Sequence, residues 1–417
     1  MTSRSDLSPR PEGAFVWAWL PGATAPVVAG RVSRDGDDYR FAYGSSYLAR
    51  PDAISLFAPE LPLRPGWIPP HDGMKMAGCL WDASPDSWGQ RVIIARLTGR
   101  EGSDASTVDL DRLTFLLESG SNRIGGLDFQ RSSSDYEPRT VSASLEELHD
   151  AAQALQAGEL REDLARALVD GTAVGGARPK VLVAEGNREY IAKLSTSTDP
   201  YPVVKVEAVG MELARRVGIV VPATKVIRSL GRDVLLVERF DRPGDGTRRM
   251  MVSALTMLGF DDFLGARYSS YPDLLDILRK FARSASGLGR MLFERIVFNV
   301  AIGNTDDHAR NHAAFWDGKH LELTPAYDLA PPPRSGTEVN QAMEIGRDGD
   351  RRSRFATCIA AAEAYGLTRQ AARDIVDRQV TTIREVWEDA ADVAQLTRLD
   401  RAALLGRQIL NDYAFFE

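Results

Sequence analysis

Three side chains within 23 positions carry the most chemistry in this sequence. Asp306 and Asn311 stand five apart in Gly303-Asn304-Thr305-Asp306-Asp307-His308-Ala309-Arg310-Asn311, and Asp328 closes Leu323-Thr324-Pro325-Ala326-Tyr327-Asp328. An aspartate in a loop can orient a hydroxyl and accept its proton. Amide and carboxylate oxygens suit a hard cation such as Mg²⁺. Asp, then four residues, then Asn is the spacing of a phosphoryl-transfer catalytic loop, and a later Asp completes its metal set in the right order. A second reading is open at this point. His308 and His312 are four apart, with His320 nearby, and a Zn²⁺-dependent hydrolase could use such a set. The segment is broken by loop formers and does not read as an HExxH helix. A third reading is a plain turn, since Asp and Asn are common turn formers.

A lysine adds weight to phosphoryl transfer. Lys193 ends the apolar run Tyr190-Ile191-Ala192-Lys193-Leu194, 17 residues after Gly176 of the pair Gly175-Gly176. Glycines let backbone N–H groups approach phosphate oxygens because no Cβ intervenes. A Gly-rich turn, a strand, a turn and a strand bearing Lys would cover and pair nucleotide phosphates. Taken alone, Lys193 reads more readily as an edge-strand surface lysine whose head snorkels to water.

The elements that must position these groups follow from periodicity and punctuation. Val27–Val32 and Tyr39–Tyr43 flank the turn Arg34-Asp35-Gly36-Asp37-Asp38 as a hairpin. Ser84-Pro85-Asp86 reads as an N-cap, a first-turn proline and an acidic first turn of a helix that runs to about Thr98 and stops at Gly99. Arg131–Arg139 reads as a linker. Ser144 and Glu147 form a capping box for a helix ended by Gly158, and a second helix is expected near Glu162–Val169. Residues 171–242 read β-β-α-β-β: strands Lys180–Ala184 and Glu189–Leu194, a helix Val203–Val217, then strands Ala223–Ile227 and Val234–Glu238. Helices dominate after Arg242, and an apolar helix over Met291–Ile302 braces the Asp306 loop.

Composition bounds the rest. The chain has 417 residues, enough for two or three domains, with an ordinary globular balance of apolar and charged residues. The net charge of −7 gives no electrostatic reason for this chain to hold DNA by itself. Two cysteines, Cys79 and Cys358, fit a reducing compartment rather than a disulfide framework. No apolar stretch approaches the roughly 18 residues of a membrane span. Ala14–Leu20 is apolar, but Pro21 and Gly22 follow at once, so a strand is the simpler reading than a signal peptide. Only seven of the 51 basic residues are lysines, which makes each of them more informative.

The motifs Gly175-Gly176-Ala177-Arg178-Pro179-Lys180, Ile191-Ala192-Lys193-Leu194, Val237-Glu238-Arg239-Phe240-Asp241-Arg242, Gly303–Asn311 and Leu323–Asp328 resemble, in order and spacing, those of HipA-type toxin serine/threonine kinases. Trp81–Arg91 and Gly125-Gly126-Leu127-Asp128 resemble that family's additional N-terminal subdomain. The resemblance implies an α+β, bilobal protein-kinase-like fold: a β-rich N-terminal subdomain (1–130), a mixed β N-lobe (131–242) and a mostly helical C-lobe (243–417). It implies ATP and Mg²⁺ as cofactors, Asp306 as catalytic base, and Asn311 and Asp328 as metal ligands. Lys193 would pair the phosphates. Val174, Gly175, Gly176, Ala177, Arg178 and Lys180 would form the phosphate loop, and Glu238, Phe240 and Asp241 the nucleotide hinge. Glu207, on the helix after Lys193, would orient that lysine or else be a solvated glutamate. The family further implies a small helix-turn-helix antitoxin, HipB-like, that carries the DNA contacts. It implies a translation component such as an aminoacyl-tRNA synthetase as substrate, and a bacterial cytoplasm as location. The chain departs from the family at one point: Ala173 stands where many members have a regulatory serine, with Thr172 beside it. Self-inactivation is therefore expected to be altered or absent. A chain that binds ATP but transfers nothing, a pseudokinase, is the further alternative.

Overall fold

The computed structural model describes residues 10–99, 110–140, 143–159, 165, 168–169, 178–334, 336 and 338–417. The chain divides into two compact units. The first holds the described residues up to Thr196 with Arg228–Val252 and Trp316–Lys319. The second holds Ser197–Ile227, Ser253–Phe315 and His320–Glu417. Neither residue 130 nor residue 242 separates one compact unit from another, and the reason lies in the packing of the first unit.

That unit contains a five-stranded antiparallel sheet. Strands β1 (Gly13–Ala18), β2 (Val27–Asp35), β3 (Asp38–Tyr43), β4 (Trp67–Ile68) and β5 (Leu127–Gln130) lie in the order β4-β3-β2-β1-β5. Alternation places Tyr39, Phe41 and Tyr43 of β3 in the core, as a half-buried strand requires. The apolar run at Ala14–Leu20 is thus central strand β1, held between β2 and β5. The turn from β2 to β3 passes through Gly36 with a positive φ of 63°. Arg131–Arg139 is not a free linker. Tyr136 packs its ring 5.4 Å from both Trp17 and Trp19, and Arg139 donates to Asp128 at 2.9 Å.

Helix α1 spans Ser87–Thr98. Its N-cap is Asp86, whose Oδ1 accepts from Gly89 N–H at 2.7 Å, rather than Ser84; a carboxylate directly before the first turn reaches that orphan donor. Gly99 ends the helix in the left-handed region. Helix α2 is Arg112–Glu118, and α3 is Leu145–Ala157, where both bonds of the expected Ser144/Glu147 capping box form. The helix expected near Glu162–Val169 falls mostly outside the described residues. A second sheet contains β6 (Lys180–Glu185), β7 (Arg188–Leu194), β8 (Thr224–Ser229) and β9 (Arg232–Glu238) in the order β6-β7-β9-β8.

A buried ion cluster joins the two sheets of the first unit. Asp241 accepts from Arg239 (3.0 and 2.7 Å), from Arg242 Nη1 (2.8 Å) and from the Gly125 N–H (2.8 Å). Both arginines also donate to the carbonyl of Arg123. Arg123 is itself fully buried and donates to Asp128 of β5 at 2.8 Å. The end of β9 is thereby tied to β5, so a division at residue 130 would cut a cluster with no solvent to screen its charges.

The second unit is helical around α4 (Val203–Arg216), α5 (Tyr271–Phe281), α6 (Leu288–Ile302) and α7 (Arg369–Val393). α6 is apolar almost all round, as a central helix must be, and Phe293 and Phe298 are fully buried on it. At 25 residues α7 is about 37 Å long, and it packs on both α4 and α6. Among the described residues no helix is long and apolar enough to cross a membrane.

Burial alone would raise the Asp241 carboxyl pKa, but the charges of Arg239 and Arg242 outweigh it and hold the group well below the usual carboxylate range. Asp241→Ala should cost about 3–5 kcal/mol in urea unfolding, because it strands two buried guanidinium groups. A depressed carboxylate contributes stability above its unfolded value of about 4 and loses it as pH falls. The gap between wild type and variant should therefore narrow as unfolding is repeated at lower pH. A gap that is constant with pH would contradict this assignment.

Candidate functional site

The sequence builds the site from the C-terminus of α6. Gly303 ends that helix with φ 71°, and a Cβ there would meet the Gln408 carbonyl oxygen at 2.5 Å, so glycine is required twice over. Asn304 then folds back, its N–H donating to Asn299 O at 2.8 Å and its Nδ2 to Asn299 Oδ1 at 3.0 Å. The loop that follows closes on itself. His308 N–H donates to Asp306 O (2.9 Å), Asn311 N–H to His308 O (2.8 Å), and Asn311 Nδ2 to Asp306 O (3.1 Å). The two expected residues are thus held together by their own backbone and amide. Asp306 is exposed and Asn311 buried.

Asp307 fastens this loop to the core. It is 1% exposed, and its Oδ2 accepts from Tyr271 Oη (2.5 Å), Asn299 Nδ2 (2.7 Å) and His312 Nε2 (2.8 Å). Because the carboxylate accepts, His312 carries its proton on Nε2. These three donors come from α5, from α6 and from the residue before strand β10 (Ala313–Trp316). Burial, and then Asp307, push the Tyr271 hydroxyl pKa well above its ordinary range.

The third acidic residue returns through a hairpin. After β11 (Leu321–Leu323), Thr324 N–H donates to Ala313 O at 3.0 Å, and the buried Arg295 of α6 donates to Thr324 O at 2.5 Å. Burial lowers the Arg295 pKa to about 10, with the Asp307 charge opposing. Tyr327 Oη donates to Arg310 O at 2.8 Å, which ties this segment to the Asp306 loop. Asp328 itself has a left-handed backbone, φ 59°. From the other side α4 presents Gly210, whose missing Cβ would lie 2.0 Å from Leu329 O. Only glycine lets the helix approach the Asp328 segment so closely.

The electrostatics agree with this gathering. The Asp306 pKa is raised, first by burial, and further by the negative charges of Asp328 and Asp307, with His308 opposing. Acidic groups that feel one another, plus the Asn311 amide oxygen, are a donor set for a hard cation that keeps water and phosphate oxygens as its other ligands. The zinc reading gains nothing. His312 is committed beneath Asp307, and among the described residues no three His, Cys, Asp or Glu side chains are grouped to hold a metal.

The other expected residues lie in the first unit and fare unequally. Lys193 is half-buried on β7, and its cross-strand neighbours are Lys180 and Leu235. Glu238 ends β9 and Phe240 follows, both half-buried; the Arg239 N–H between them donates to Glu189 O. Arg178 is exposed. Two expectations are corrected. Lys180 does not reach toward a nucleotide from an open loop, because it is 2% exposed and paired with Asp86 at 2.7 Å. Asp241 is locked in the ion cluster and cannot line a nucleotide hinge. Glu207, in the second unit, is buried rather than solvated. Val174, Gly175, Gly176 and Ala177, with Thr172 and Ala173, lie outside the described residues. Sequence reasoning missed Asp307, Asn299, Tyr271, Arg295 and Gly210. Asn299 and Arg295 had a signal, as polar residues inside the apolar run of α6; Tyr271 had none.

Comparison with known proteins covers the same segments. A HipA-like C-terminal domain matches residues 172–387, and a HipA N-terminal domain matches residues 23–130. The putative kinase Y4mE of Sinorhizobium fredii is 29% identical over 208 residues, which are 45% of this chain and 48% of that protein. The serine/threonine-protein kinase toxin HipA of Shewanella oneidensis is 27% identical over 225 residues, 47% of this chain and 52% of that one. The chain spans about half the length of these curated relatives. Among solved structures, the Shewanella oneidensis complex of HipA, HipB and operator DNA contains a chain of the same fold. Its TM-score is 0.67 at 21% identity, over 94% of this chain and 96% of that chain.

Gly210→Ala tests the packing beneath Asp328. Overpacking should cost about 1–3 kcal/mol in thermal unfolding. Any relief that moves Leu329 moves Asp328 with it. A variant as stable as wild type would refute the close approach.

Proposed function

The chain belongs to the HipA family, and on that premise we propose that it is an ATP- and Mg²⁺-dependent serine/threonine protein kinase acting as the toxin of a toxin–antitoxin pair. What supports this is the pairing of Asn311 with Asp306 beside the buried Asp307 network, with the negative charge of Asp328 acting on Asp306. The spacing of Asp306 and Asn311 is held by a direct hydrogen bond, and Asp306 responds electrostatically to Asp328.

In this reading the protein does little covalent work. Asp306 orients the attacking hydroxyl of a substrate serine or threonine and receives its proton as the oxygen bonds to the γ-phosphorus. Asn311 and Asp328 would hold Mg²⁺, which when bound offsets negative charge on the phosphates. Lys193 pairs phosphate oxygens, and the backbone around Glu238 and Phe240 receives the adenine. Rate comes from alignment and from charges fixed in advance. The partners follow from the family: a HipB-like antitoxin, DNA reached only through it, and a substrate among translation components such as an aminoacyl-tRNA synthetase. A chain of charge −7 leaves phosphate-backbone contacts to a partner, and the fold matches a chain solved with HipB and operator DNA. The site of action in this reading is the bacterial cytoplasm.

Transfer of γ-labelled phosphate from Mg-ATP in tRNA-supplemented bacterial lysate tests the proposal. Wild type should label one main band, and Asp306→Ala should lower transfer by at least about a hundredfold while unfolding at the same temperature. Equal labelling by the two proteins would remove Asp306 from its role. ATP binding without transfer in wild type would make the chain a pseudokinase.

A further inference from the structure

We propose that Phe263 is a specificity-determining residue beside the catalytic loop, where it receives a large apolar side chain that flanks the acceptor serine or threonine of the protein substrate. This deepens the kinase reading above and rests on it. The Phe263 ring is 74% exposed. It stands on the short helix Asp262–Tyr268, in which only Gly265 is buried. Single apolar side chains on a surface are common, so exposure by itself decides nothing. What decides is how the helix is held, and beside what.

A helix of two turns does not persist by itself in water, and one that adds a single glycine to the core gains little from burial. Other contacts fix it. Asp261 caps it, its Oδ1 accepting from Leu264 N–H at 2.8 Å. Gly265 lies so near Leu255 that a Cβ would come within 2.1 Å of Leu255 Cδ1. Arg351, from the segment after Asp328, donates to the carbonyls of Ala266 and Arg267. Asp262 accepts from Arg310 Nε at 2.5 Å and from Arg310 Nη2 at 3.0 Å. The helix is thus anchored at both ends while its aromatic ring is left in solvent.

The contact with Arg310 sets the place. Arg310 belongs to the Asp306 loop, and its neighbour Asn311 is bonded back to Asp306 O at 3.1 Å. Asp306, Asp262 and Phe263 are exposed, and Arg310, which joins loop to helix, is half-buried. The path from the proposed base to the ring therefore runs over residues that meet solvent. Its length is roughly 20 Å, or about six residues of extended chain. A protein whose hydroxyl enters at Asp306 lays its flanking residues over the surroundings of that loop. An apolar side chain within that reach covers Phe263. Aromatic rings anchor such contacts because they bury a large area at small cost in conformational entropy.

Phe263→Asp tests this, because an acidic residue in the first helical turn suits the positive end of the helix dipole, so the variant should fold. The probe is the main protein band labelled in bacterial lysate. Its initial rate of labelling is followed over a dilution series of the lysate, with KM for ATP and the unfolding temperature measured alongside. We expect F263D to lower labelling about tenfold in dilute lysate, to approach wild type in concentrated lysate, and to leave KM for ATP unchanged. F263L keeps an apolar surface and should retain at least about half of the wild-type rate. Leu399, 80% exposed in the same compact unit, supplies the control, and L399D should label as wild type does. Equal labelling by F263D and wild type at every dilution would overturn the proposal. It would do so even if the variant's oligomeric state shifted in size-exclusion chromatography, since the ring would then serve a contact between copies. A raised KM for ATP in F263D, or an equal loss in L399D, would overturn it too. Should F263D fail to fold, F263S takes its place with the same expectations. Absence of transfer by wild type would instead sink the kinase reading, and this inference with it.

Discussion

The loop that carries Asp306 has little regular structure of its own, one short 3-10 turn over Ala309–Asn311, so its shape depends on what lies beneath it. That is the Asp307 carboxylate, buried under donors from Tyr271, Asn299 and His312. A buried charge costs several kcal/mol unless it is matched by hydrogen bonds. The match here is available in one arrangement only, with α5, α6 and the start of β10 all in place. Any shift of the loop would leave an acceptor and up to three donors unsatisfied at once. The adjacent residue, Asp306, is thereby presented to solvent on a rigid base. A pair of neighbouring aspartates is thus divided: Asp307 is a buried anchor and Asp306 faces solvent.

The first unit uses the same device with the signs weighted differently. Asp241 and Asp128 are buried among Arg239, Arg242 and Arg123. Guanidinium suits this task because its planar fork can meet a carboxylate and a carbonyl together, as Arg239 does with Asp241 and Arg123 O. A lysine offers a point charge with no such reach. Lys180 places a buried ammonium 2.7 Å from Asp86 instead, on the sheet that bears Lys193.

How much was legible in advance follows from the range of each interaction. The Ser144 capping box, the Gly99 and Gly158 stops, the hairpin at Gly36 and the β-β-α-β-β order are set by residues a few positions apart, and sequence displays them directly. The Asp306–Asn311 spacing was readable for the same reason, since its hydrogen bonds close within the loop. The surroundings of Lys180 and Asp241 were not legible: Asp86 lies 94 positions from Lys180, and the motif does not display that Asp241 is buried together with its neighbours Arg239 and Arg242. A motif written as a continuous string hides the fact that alternate residues on a strand face different surroundings. In Val237–Arg242 the side chains of Arg239, Asp241 and Arg242 belong to the core, whereas Glu238, the last residue of β9, is half-buried. Composition marks a linker at Arg131–Arg139 but cannot show that Tyr136 folds back on two tryptophans.

The left-handed backbone at Asp328 has a consequence for how this protein would respond to selection. An L-residue with a Cβ in that region carries roughly 1–2 kcal/mol of steric cost that glycine does not. The side chain adds a second cost, since Asp328 and Asp306 are like charges that raise one another's energy. Replacing Asp328 by glycine would relieve both and remove the carboxylate that acts on Asp306. A search for more heat-resistant variants of this chain would thus be drawn toward position 328, and its winners there would lack the carboxylate that the proposed metal site needs. Stability and activity compete at this residue, so a thermostability screen without an activity filter would select against the chemistry the fold exists to position.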